Sequence, residues 1–183
     1  MDTVELTHIL TSDQYMKKYF IGVYAANHVP SNVSKAPVCF IANTDPSWKP
    51  GCHWVAVYVD HENNAEFFDS YGRYPDIYHN KIYGFLKRFE NCKLNHTQLQ
   101  SSFSSTCGQF CLYFLYWRCR GVSFERIMSG FDKSQDTNDF LVTTFVNGLF
   151  DKKTKVYDVD YIVNQCCRSD ACSYTNHFWL MNE

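Results

Sequence analysis

The chain has 183 residues, enough for a single domain (1–183) with a sizeable core. Hydrophobic residues make up 45% and charged residues 20%, an ordinary balance for a folded domain and unlike that of a disordered chain. A formal net charge of −2 supplies no electrostatic footprint for a nucleic-acid partner, and no apolar run approaches the roughly 18 residues of a membrane span. The lysine and arginine groups at 81–93 and 152–155 read as solvated faces. Nine cysteines, an odd number, follow an N-terminal stretch, Met1–Glu5, with neither a basic nor an apolar leader region. A reducing compartment and mostly free thiols are expected. Asn32-Val33-Ser34 and Asn95-His96-Thr97 match the glycosylation pattern, and both are read as chance. Aromatics reach 17%, assigned first to core and surface and second to a peptide groove.

In chain order, Leu6, Ile9, Leu10 and Tyr15 fall near helical spacing, with a break or recap at Thr11-Ser12-Asp13. Tyr19–Tyr24 is a short apolar run, followed by a loop over Asn27–Ser34. Val38–Asn43 reads as a buried strand, and Thr44–Gly51 as a loop. From His53 to Val59 the pattern alternates, with His53, Val55, Val57 and Val59 on one face. Ala65–Asp69 is the return strand of a hairpin. A turn centred near His61 sets His53 directly opposite Asp69, where side chains of a ladder meet at about 5 Å.

Further along, Pro75–Phe89 reads as one helix with a stripe of Ile77, Ile82, Phe85, Leu86 and Phe89. Asn91–Thr97 is a short strand or a loop. Cys107–Arg120 is a helix apolar nearly all round and therefore buried, with Ser104, Ser105 and Thr106 as capping types and Gly121 at its stop. Phe124–Met128 and Asp139–Phe150 complete the helices, and the chain from Asp158 carries no clear pattern.

Four residues in these segments match the needs of a cysteine hydrolase: a thiolate, a base, an orienter and an oxyanion donor. Cys107 opens a buried helix, where free N–H groups and the helix dipole favour the thiolate. His53 is the candidate base and acid. A lone strand histidine is more often structural, but a carboxylate across the hairpin shifts that balance. Asp69 is the candidate orienter, its plainer role being to cap the turn at Ser70-Tyr71-Gly72, and Glu66 is the runner-up carboxylate. Gln100, seven residues before Cys107, is the candidate oxyanion donor beside the Cys107 N–H, with Gln98 as the alternative. Gly108 is read as room for a substrate, and Cys111, one turn further in, as packing.

The order His, acid, Gln, Cys, with His53-Trp54 and Cys107-Gly108-x-x-Cys111, resembles the adenovirus protease (adenain) family of cysteine peptidases. Tyr19–Tyr24, Ile41–Thr44 and Gly51-x-His53-Trp54 are similar to that family's pattern too, over roughly the first two-thirds of the chain. The resemblance implies an α+β, papain-like core in permuted order: a mixed sheet carrying histidine and acid, packed on a helix headed by cysteine. It implies an endopeptidase that cuts viral precursor proteins at Gly-Gly or Gly-x sites during virion maturation, in the host nucleus or cytoplasm and in the virion. No cofactor is implied for the chemistry itself. By the same resemblance, Cys92 is the place for a disulfide to an activating peptide, and DNA is a second activator, although this chain's charge does not favour DNA. Asp69 stands where adenovirus enzymes usually carry Glu, and there the chain looks more like the related ubiquitin-like-protein proteases.

Three other readings compete. One is a SUMO- or ubiquitin-removing protease using the same residues. Another is a zinc module built on Cys166, Cys167, Cys172 and His177, whose spacing is looser than that of structural zinc pairs. The last is a capsid-associated homologue without turnover, against which the presence of all four site residues argues.

Overall fold

The computed structural model describes residues 1–33 and 35–150. The tail set Cys166, Cys167, Cys172 and His177 lies outside the described residues.

A mixed five-stranded sheet in the order β1-β2-β3-β4-β5 is the frame. Its strands are β1 (Phe20–Tyr24), β2 (Val38–Asn43), β3 (Trp54–Val59), β4 (Ala65–Phe68) and β5 (Cys92–Leu94). β2, β3 and β4 form an antiparallel core, while β1 and β5 run parallel to their neighbours at the two edges. The apolar run at Tyr19–Tyr24, left without an assignment by its pattern, is thus an edge strand.

The alternation in β3 sorts its side chains as expected. Val55, Val57 and Val59 enter one apolar cluster with Phe67 and Ala65, covered by helix α2 (Asn80–Leu86) through Ile82, Phe85 and Leu86. Ala56, Tyr58 and Phe68 enter the other, against helices α1 (Thr3–Ser12), α3 (Cys107–Arg118), α4 (Phe124–Ser129) and α5 (Gln135–Phe150). α3 is the centre of that layer. Phe110, Cys111, Leu112, Phe114 and Leu115 are all fully buried, and Phe114 stacks on Phe68 at 4.7 Å. Cys111 is packing, as its position suggested.

Local chemistry sets the element ends. Asp2 caps α1 in a reciprocal box with Glu5, and Asp13 ends the helix while accepting from the Tyr15 and Met16 N–H groups. The expected helix over Pro75–Phe89 is in fact two pieces. Pro75–Ile77 is a single 3₁₀ turn with Ile77 exposed, and α2 starts only after the His79 ring accepts from the Lys81 N–H. Tyr78 between them is extended, which sends its ring back toward the sheet end.

The hairpin register also corrects the expectation. Val57 pairs with Phe67 and Ala56 with Phe68, so the turn is centred near Glu62. Continued outward, that ladder sets His53 against Tyr71, with Asp69 on the diagonal. A slip of two residues preserves the side-chain face, and diagonal neighbours remain in reach of a long side chain. Parity, not direct opposition, therefore brings His53 to Asp69.

Candidate active site

His53 precedes β3, Asp69 follows β4, and Cys107 opens α3, so three element ends converge at one end of the sheet. His53 Nε2 lies 2.7 Å from Asp69 Oδ1, and both residues are buried. The Tyr71 ring covers the imidazole at 4.7 Å between centroids. Asp69 also performs the plainer role foreseen for it. Its carboxylate accepts from the N–H groups of Tyr71 and Arg73, and its carbonyl accepts from Gly72. Gly72 sits at φ +64, and a Cβ there would meet the Thr97 carbonyl carbon at 2.6 Å, so this turn requires glycine.

Two residues hold Asp69 that no sequence signal marked. The Tyr78 hydroxyl donates to Oδ2 at 2.6 Å. The Asn95 side chain clamps the Asp69 backbone, accepting from its N–H at 2.9 Å and donating to its carbonyl at 2.6 Å. Asn95, the first residue of the chance glycosylation match, has its amide buried and occupied.

The charges on the three groups support one another. Burial opposes a charged His53, yet the hydrogen bond to Asp69 and the coupling to Cys107 override it and hold the imidazole up at about 9. Burial likewise opposes the Cys107 thiolate, but His53, then the N–H groups of Trp54 and Gly108, bring its pKa below the ordinary thiol value. Asp69 is held below the usual carboxylate range against its own burial, chiefly by His53 and Tyr78. His53 Nδ1 is buried and has no partner at hydrogen-bond geometry, while Cys107 is the group coupled to it. The two groups therefore interact without a hydrogen bond of standard geometry.

Gln100 is 1% exposed and tethered at both ends of its amide. The Ser70 hydroxyl donates to Oε1 at 2.6 Å, and Nε2 donates to the Ser104 carbonyl at 3.0 Å. That orientation leaves Nε2 with a second proton. Gln98, the alternative, is exposed and spends its amide on the Gln100 carbonyl and Ser102. Glu66, the runner-up carboxylate, is bound to Arg118 under α3.

An open cleft of about 570 Å³ is lined by Cys107, Gln100, Trp54 and Tyr71, with Met1–Thr3 and the loop before His53 as walls. The Trp54 indole donates to the Met1 carbonyl at 3.1 Å. A Cβ at Gly108 would come within 3.1 Å of the Met1 side chain, so the absence of a side chain there lets the N-terminal segment pack against the start of α3. Thr106 occupies the N-cap position of α3, but its side chain makes no cap bond. Cys92 lies half-buried on edge strand β5, outside the cleft, and burial followed by the Glu66 charge pushes its thiol up to about 11. Among the described residues, no group of three or more His, Cys, Asp or Glu side chains could hold a metal ion.

No family model matches the chain. It is 32% identical to the protease of Bovine adenovirus 4 over 66% of its own length and 67% of that protein. It is 29% identical to the protease of Bovine adenovirus C serotype 10, over 61% of its length and 63% of the relative's. The fold is shared with the central domain of an uncharacterized Legionella pneumophila protein, with a TM-score of 0.50 at 15% identity, across 83% of this chain and 98% of that one. The chain belongs to the adenovirus protease family, a class of viral proteases.

Proposed function

We propose that this chain is a cysteine endopeptidase in which Cys107 is the nucleophile, His53 the general base and acid, Asp69 the orienter and Gln100 the oxyanion donor. The observation that carries the reading is the buried His53–Asp69 pair coupled to a thiol of lowered pKa on one cleft wall. The Cys107 thiolate attacks the peptide carbonyl carbon. Negative charge then builds on its oxygen, within reach of the free Gln100 Nε2 proton and the Cys107 N–H. Collapse of that intermediate breaks the C–N bond, and the His53 imidazolium protonates the departing amine. His53 next takes a proton from water, whose oxygen attacks the thioester and restores the thiolate.

By kinship the substrates are viral precursor proteins of capsid or core, cut at Gly-Gly or Gly-x sites during virion maturation, in the host nucleus or cytoplasm and in the virion. A peptide joined to Cys92 and a nucleic acid are the proposed activators. The raised Cys92 pKa implies slow thiol exchange at neutral pH, so that linkage would need time or an oxidant. The test is hydrolysis of a fluorogenic Leu-x-Gly-Gly peptide under reducing conditions, wild type beside Cys107→Ala, with and without DNA and capsid-derived peptides. Turnover by wild type alone supports the reading. Equal rates in both proteins, or none under any condition, would refute it. Release of a folded ubiquitin-like protein in preference to the peptide would move the assignment to the isopeptidase branch.

A further inference from the structure

The oxyanion donors of the proposed site sit at the two ends of one loop, Gln100 at its start and the Cys107 N–H at its finish. Such a pair works only if its separation is held, because donors must meet the position the oxyanion will occupy. No side chain of the hairpin or of α3 reaches both ends of this loop through the hydrogen bonds present. Helix α5 does. The Asp139 carboxylate accepts from the Ser101 N–H at 3.1 Å through Oδ2, and from the Thr106 hydroxyl through Oδ1. Ser101 follows Gln100 and Thr106 precedes Cys107, so the two oxygens of one carboxylate span the loop. The neighbouring Asn138 is 1% exposed and donates Nδ2 to the Leu99 carbonyl at 3.2 Å. Its own Oδ1 is fixed by the Asp132 N–H at 2.8 Å.

We infer that Asp139, seconded by Asn138, is a positioning residue that sets the spacing of the two oxyanion donors. The Thr106 hydroxyl is the link it grips on the cysteine side. This explains why Thr106 stands at the N-cap of α3 without capping it: its hydroxyl is given to Asp139. It also gives α5 a duty in catalysis beyond packing Phe145 against α3. The inference rests on the peptidase reading proposed above.

The experiment measures kcat and KM on the fluorogenic peptide beside the rate of Cys107 alkylation by iodoacetamide as a function of pH. Alkylation uses the same thiolate but forms no oxyanion, so it reports on Cys107 and the fold alone. Asp139→Ala is expected to lower kcat by about 10- to 100-fold, with KM and the alkylation profile little changed. Thr106→Val should follow it, and Thr106→Ser, which keeps the hydroxyl, should restore the rate. Adding Asp139→Ala to Gln100→Ala should cost less than it does alone, since one of the two donors it positions is already gone. Unchanged kcat in Asp139→Ala would overturn the inference. So would a parallel fall in alkylation, which would place the effect on the thiolate or the fold. A wild type without hydrolysis would instead sink the peptidase reading on which the inference rests.

Discussion

Asp69 and Glu66 are three residues apart, nearly equally buried, and opposite in behaviour. Asp69 collects four donors, from His53, Tyr78 and the N–H groups of Tyr71 and Arg73, and its pKa is lowered despite burial. Glu66 has the single Arg118 guanidinium, through Nε and at 3.1 Å through a terminal nitrogen, and burial still leaves its carboxyl above the usual range. Arg118 itself lies over the Tyr58 ring and donates to the Val122 carbonyl. Burial alone therefore does not decide the charge of a carboxylate; the number of donors arranged round it does. An odd spacing along a strand sends the two to opposite faces. One pairs with His53, and the other ties the sheet to α3, the helix that Cys107 opens.

That division can be broken at either end. Cys107→Ala should abolish turnover, the largest effect, while thermal unfolding stays near that of wild type. His53→Ala should lose about 10⁴-fold in kcat/KM, because both proton transfers go with it. Glu66→Ala should leave Arg118 buried and unpaired and cost about 3–5 kcal/mol in urea unfolding, with alkylation of Cys107 unaltered while the protein stays folded. Equal loss of alkylation and stability in that variant would erase the distinction between the two carboxylates. Asp69→Asn should lose less than His53→Ala, since a base remains and only its orientation and charge are changed.

The smallest effects are in the pH profile. The His53 pKa is raised from 6.5 to about 9, so the thiolate–imidazolium pair, and the stability it lends, persists below the ordinary histidine value and is lost as pH rises through about 9. Activity should fall on an alkaline limb there, as a property of the coupled pair. Asp69 has the opposite sign: its contribution is present above 3.8 and is lost as pH falls through its lowered folded value. Tyr78→Phe removes one donor from Asp69 and should shift the acid limb of unfolding upward, measured by circular dichroism across pH. An alkaline limb that stays in place in Asp69→Asn would detach the carboxylate from the imidazole's charge.

Much of this was legible along the chain because it depends on periods and neighbours. The alternation from His53 to Val59 identified both faces of β3, and the apolar run after Cys107 identified a buried helix. Even the mistaken hairpin register left His53 and Asp69 on one face, since an error of two residues keeps parity. The order of His53, Asp69, Gln100 and Cys107 was readable as a family pattern. What could not be read were contacts made by residues distant in sequence or by side chains with no pattern of their own. Tyr78 reaches Asp69 only because the expected helix breaks before it, Ser70 turns Gln100 by a hydroxyl, and Asp139 grips a loop more than thirty residues upstream. Periodicity and order along the chain determined the elements and the candidate residues. Hydrogen-bond partners depend on which loops the tertiary packing brings together, so the charges of His53, Asp69 and Cys107 and the bracing of the loop between Gln100 and Cys107 were decided there.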